Sequence, residues 1–97
     1  MNSKEDILRT LRELKQEIRA DYKVKEMGVF GSVIRVEQTE ESDIDVLADF
    51  EEDASFFNLV GLGLFLEEEF NQKVDVVSKR TLREEIKDSI LAEAITI

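Results

Sequence analysis

The sequence predicts an α/β or α+β sandwich, a small sheet with helices mainly on one face. Three observations predict it. Helical and strand periodicities take turns along the chain, in the order helix, strand, short helix, strand, helix, strand, helix. The run ending in Val29-Phe30 is too apolar for an exposed strand and belongs in the middle of a sheet. The 97 residues, 42% hydrophobic and 37% charged, fit one folded domain spanning 1–97, with no room for a separate substrate-recognition domain.

Each element has a local reason. Residues 3–21 read as the first helix, because Ile7, Leu8, Leu11, Leu14 and Ile18 recur at helical spacing. Ser3 and Asp6 supply a capping residue and an acidic first turn. Asp21-Tyr22-Lys23 then turns the chain. Residues 24–30 form the first strand, which Gly31 ends. Ser32 to about Val36 forms one or two helical turns with Ser32 at or near the N-cap, and residues 37–41 are a polar connection.

In the second strand, residues 43–50, Ile44, Val46, Ala48 and Phe50 share one face, while Asp43, Asp45, Leu47 and Asp49 share the other. Residues 51–53 are a solvated loop. The third helix spans 55–70. Gly61 and Gly63 inside it each cost about 1 kcal/mol of helix propensity, and close packing on the sheet is the expected reason for them. Asn71 can take the left-handed conformation that stops a helix. Residues 73–78 form the third strand. Thr81 caps a last helix whose buried side is Leu82, Ile86, Ile90 and Leu91. The apolar residues 94–97 either tuck onto the sheet or lie in an interface, which leaves an oligomer open.

Composition narrows the chemistry. There is no Cys and no His, which excludes disulfides and thiolate metal sites and leaves little room for zinc. A metal must be held by oxygen, which favours magnesium or manganese. No apolar run is long enough to span a membrane, and the acidic N-terminus does not read as a secretory signal, so the expected location is the cytoplasm. The formal charge is −10, from 23 acidic and 13 basic residues. That opposes a direct grip on nucleic acid. It suits solubility and, compatibly, a basic protein partner.

The chemistry gathers at two places. Gly28-Val29-Phe30-Gly31-Ser32 carries an apolar strand into a Gly-Ser corner. Ser42-Asp43-Ile44-Asp45 opens the second strand with two carboxylates on one face. Paired carboxylates repel unless a cation lies between them, and a hard divalent metal is the usual answer. The corner can offer backbone N–H groups and a hydroxyl to a phosphate. An Asp-x-Asp pair alone means little. Gly-Ser, ten residues and Asp-x-Asp together are expected about once in several hundred shuffled chains of this composition. Metal, phosphate and carboxylates point to phosphoryl or nucleotidyl transfer.

The run from Gly31-Ser32 to Ser42-Asp43-Ile44-Asp45 resembles the signature of the DNA-polymerase-β-like nucleotidyltransferase superfamily. The short length resembles its minimal members, the MNT proteins often paired with HEPN-domain proteins. The likeness covers nearly the whole chain, including the Leu59-Val60-Gly61-Leu62 helix and the Lys73–Val77 strand. It implies a small mixed sheet flanked by helices. It also implies a third carboxylate on a neighbouring strand, and Asp75 matches; taken alone, Asp75 reads as an ordinary exposed strand residue.

The resemblance implies that Asp43, Asp45 and Asp75 are the catalytic and metal-binding residues. Asp75 would also accept the proton of an attacking hydroxyl. Gly31, Ser32 and Arg35 would meet the nucleotide phosphates; Ser42, also in the nucleotide-binding set, more readily fixes the loop. The implied reaction is Mg2+-dependent transfer of AMP from ATP to a hydroxyl, a tyrosine of a HEPN toxin. The MNT protein thereby acts as antitoxin in a toxin-antitoxin system. The alternative is a non-catalytic module that neutralises its partner sterically. The chain departs from the family pattern at Val36, where a Gly usually follows the Arg. A β-branched residue resists positive φ, so the loop to Asp43 is expected to run differently.

Overall fold

The computed structural model describes residues 2–35 and 43–97. Helix α1 (Lys4–Tyr22) begins with a reciprocal cap. Ser3 Oγ accepts the Asp6 N–H at 3.1 Å, and Asp6 Oδ2 accepts the Ser3 N–H at 3.4 Å. Lys23, at φ 57°, ends the helix in the left-handed region. Strand β1 (Val24–Phe30) leads through Gly31 into the single turn α2 (Ser32–Arg35). Strand β2 (Ile44–Phe50), helix α3 (Phe56–Phe70) and strand β3 (Val74–Ser78) come next. Asn71 stops α3 at φ 50°, in the role its side chain suggests. A 3-10 turn (Lys79–Thr81), helix α4 (Glu84–Glu93) and the short strand β4 (Ile95–Thr96) complete the order.

The sheet runs β3-β2-β1-β4. Strand β1 is interior, as its apolar sequence requires, and is antiparallel to both β2 and β4. Strands β2 and β3 are parallel, which demands the crossover that α3 supplies. The sheet is therefore mixed.

One face of this sheet carries the core. Ile7, Leu11 and Ile18 of α1 and Leu62 and Leu66 of α3 cluster with Val29, Ile44, Val46 and Ala48, all fully buried. Each such side chain contributes about 1.5–3 kcal/mol by leaving water. The glycines of α3 serve this packing differently from the expectation. A Cβ on Gly61 would press on the Tyr22 ring at 3.2 Å, whereas one on Gly63 would make only ordinary contact with Val76. The close approach is thus to α1, not to the sheet.

The last helix also departs from the sequence reading. Thr81 does not cap it; its Oγ1 donates to the Ser78 carbonyl at 3.0 Å and closes the 3-10 turn. Arg83 stands at the N-cap of α4, and no residue of α4 is buried. Ile86 is 46% and Leu91 38% exposed. The reason is competition for space: α1 and α3 already fill the core face, so α4 has only the margin of the other face. There Leu91 and Ala94 share a cleft with Gly28, Leu47 and Thr96.

The apolar tail does tuck onto the sheet, as an edge strand. Thr96 pairs with Gly28 and Ile95 with Val29. The Ile97 N–H donates to the Met27 carbonyl at 2.9 Å, and Lys15 Nζ donates to the Ile97 carbonyl at 3.1 Å. Gly28 makes this possible, because a Cβ there would stand 2.9 Å from the Ile95 carbonyl oxygen. No helix among the described residues is long and apolar enough to cross a membrane.

Candidate active site

The outer face of the sheet brings the predicted residues together through backbone register. Phe30 pairs with Asp45, and Asp45 pairs with Asp75. Directly opposed residues project to the same face, so Phe30, Asp45 and Asp75 form one row across three strands. Val74 and Val76, which flank Asp75, turn to the core side, and Val74 is buried. Asp75 is exposed and Asp45 half-buried. Asp43 lies immediately before β2, half-buried and close enough to Asp45 to act on its charge.

The electrostatics result from this crowding. Asp45 is pushed up to about 6, first by its partial burial and then by the charges of Asp75 and Asp43. Arg35 opposes the shift, and Glu93 adds to it. A carboxylate whose charged form is disfavoured by neighbouring acids suits a divalent cation, which would relieve the repulsion. The donor set is oxygen only, as magnesium or manganese requires. Among the described residues, however, no three acidic side chains already stand as a finished metal cage.

The Gly31 corner stands against this row. Gly31 has φ 76°, a left-handed conformation that glycine takes freely. A Cβ there would collide with the Asp45 carboxylate. The absent side chain therefore lets the backbone of the corner lie directly against the Asp45 carboxylate. Ser32 starts α2 half-buried, and the Ile34 and Arg35 N–H groups both donate to the Gly31 carbonyl at 3.1 Å. Arg35, at the end of that turn, folds back toward the corner. Ser42 and Val36 lie outside the described residues.

One participant escaped sequence reasoning. Glu93, in the last turn of α4, accepts from the Gly31 N–H at 3.2 Å and from Arg35 Nη1 at 2.6 Å. Its side chain is 24% exposed. No spacing rule ties residue 93 to residue 31, and a glutamate in a charged helix reads as solvated surface. Only the fold discloses the contact.

The comparisons with known proteins agree with this fold. The nucleotidyltransferase domain family matches residues 11–97. The protein adenylyltransferase MntA of Thermococcus cleftensis is 39% identical over 93 residues, covering 96% of this chain and 94% of that protein. A solved structure provisionally described as a minimal nucleotidyltransferase superposes with a TM-score of 0.85 at 36% identity, covering 99% of this chain and 97% of the other. The fold also recurs, at a TM-score of 0.65 and 16% identity, in the complex of a tri-AMPylated Shewanella oneidensis HEPN toxin with its MNT antitoxin. That likeness covers 91% of this chain and 69% of the matched one. Sequence kinship along nearly the whole chain, together with the shared fold, establishes that the chain belongs to the nucleotidyltransferase family, among its minimal members.

Proposed function

We propose that residues 1–97 act as one catalytic domain that transfers AMP from ATP, with Mg2+, to a tyrosine hydroxyl of a HEPN toxin and so serves as its antitoxin. The observation that carries this reading is the pairing of Asp45 with Asp75 on one sheet face beside the Gly31 corner. The MntA name of the relative and the HEPN partner in the structural likeness support the choice of acceptor.

Each residue has a role in this reading. Asp43, Asp45 and Asp75 would hold Mg2+ (or Mn2+), which when bound supplies charge neutralisation to the triphosphate. The Gly31 and Ser32 N–H groups and the Ser32 hydroxyl orient the phosphates, and Arg35 meets their charge. The acceptor hydroxyl oxygen attacks the α-phosphorus. A new O–P bond forms, the bond to pyrophosphate breaks, and pyrophosphate leaves with that electron pair. The hydroxyl proton passes to Asp75, the most open carboxylate of the row. The acidic chain, at −10, suits docking to a basic nuclease in the cytoplasm, with no direct hold on nucleic acid.

The test mixes the chain, α-labelled ATP, Mg2+ and the product of the neighbouring gene, which the proposal expects to be a HEPN protein. Label should appear on the partner and vanish when its acceptor tyrosine is replaced by Phe. Absence of label from a folded pair under both Mg2+ and Mn2+ would remove the proposal. The occupied Gly31 and Arg35 donors favour a second reading, in which the chain neutralises its partner by binding alone. Asp43→Asn with Asp45→Asn separates the two: neutralisation that survives the double change needs no catalysis.

A further inference from the structure

We propose that Glu93 is an internal stand-in for a nucleotide phosphate, which holds the anion position of the free chain and must leave when the triphosphate enters. The proposal rests on the nucleotidyl-transfer reading above, since it takes the Gly31 corner as the phosphate position.

The geometry is that of an anion on its receptor. One carboxylate oxygen takes the Gly31 N–H and the other takes the Arg35 guanidinium. These are a backbone donor at a glycine corner and a fork-shaped cation, the two kinds of group that receive phosphoryl oxygens. The same carboxylate lies close enough to Asp45 for the two charges to act on each other. A fixed negative charge near Asp45 would be a poor structural choice unless those two donors hold it. A phosphate that takes both donors leaves Glu93 without them and among like charges.

The element that carries Glu93 is able to yield. Helix α4 buries no residue, and no side chain caps its start. The tail beyond α4 is anchored independently: β4 is paired to β1, and Ile97 is bonded to Met27 and Lys15. The last turn of α4 can therefore release its glutamate while the tail keeps its place. Nucleotide occupancy and the docking of α4 become opposed states of one site.

Glu93→Gln separates this role from its rivals. A stand-in competes with ligand, so its loss should tighten binding. A residue that positions Arg35, or one that helps hold the metal, would weaken binding when changed. The measurement is the Kd of the non-hydrolysable analogue AMP-PNP with Mg2+, by calorimetry. The expected change is about three- to fivefold tighter, the range of an exposed ion pair. Inorganic tripolyphosphate should show the same gain, since the competition is for phosphate and not for base. Unchanged or weaker binding of both ligands to a folded Glu93→Gln chain overturns the proposal and leaves the functional reading intact.

Arg35→Ala reports on that reading instead. If neither the parent chain nor Glu93→Gln binds AMP-PNP, and Arg35→Ala makes no difference, the phosphate position itself is wrong and the proposal falls with it. Hydrogen exchange on the unaltered chain gives a check that needs no variant. Saturating AMP-PNP should speed exchange in residues 90–94 while those of β4 stay protected; protection of both would overturn the stand-in role.

Discussion

The two faces of β2 obey different rules. Ile44, Val46, Ala48 and Phe50 sit on the core face, each at most 5% exposed, and answer only to packing. Asp45 and Asp49 alternate with them and look outward, and Asp45 is destabilised by its own neighbours. The packed core and the acidic row thus occupy opposite sides of one strand, a single peptide apart. A free energy gained on one side can offset electrostatic strain on the other. Substitutions that respect the alternation should separate the two properties cleanly.

The largest effect should come from Asp45→Asn. Transfer of label from ATP should fall on the order of a thousandfold, the scale of losing a principal electrostatic group. Urea denaturation at pH 7.5 should show the same variant more stable than the parent, by about 1 kcal/mol, a value reduced from the full shift because the carboxylate is half open to water. A loss of both activity and stability would break the separation. Leu62→Ala sits wholly on the other side. It should cost about 2–5 kcal/mol in the same assay, while the fraction that stays folded binds nucleotide normally.

Gly31→Ala touches both sides at once. The left-handed backbone and the collision with Asp45 should cost about 1–2 kcal/mol of stability and also weaken nucleotide binding.

The pH dependence is a finer probe. Asp45 has a folded value near 6 against an ordinary 3.8, so the folded chain binds the extra proton between these values. Its contribution to stability is complete below about 3.8 and is lost as pH rises through about 6. The metal-free parent should therefore lose about 1 kcal/mol relative to Asp45→Asn between about pH 4 and about pH 7. Subtracting the two urea midpoint curves isolates this group from the other acids. The smallest effect belongs to Ser3→Ala, far from the row. It should lower stability by about 0.5–1 kcal/mol and leave AMP-PNP affinity untouched.

How much of this was legible in the sequence depended on the range of the interaction. The reciprocal cap of α1, the stop at Asn71 and the alternation of β2 are set by residues a few positions apart, and the pattern discloses them. The match of Asp45 to Asp75 requires β2 and β3 to be neighbours, which came from resemblance and not from periodicity. Helix α4 misled, because Ile86, Ile90 and Leu91 have the spacing of a buried face but no vacant core face to meet. Gly61 misled more mildly, since a glycine in a helix does not say which neighbour comes close. Glu93 left no trace at all. Its partners lie some sixty residues away, and its residue type is common in this chain.

Strand register has one more consequence. Because side chains alternate with period two, sliding β3 by a single position against β2 would turn Asp75 toward the greasy side and push Val74 and Val76 into water. An unpaired carboxylate there is severely penalised. A chain assembled out of step is thus unstable and open to proteolysis. The hydrogen-bond ladder that sets the fold also decides whether Asp45 and Asp75 share a face.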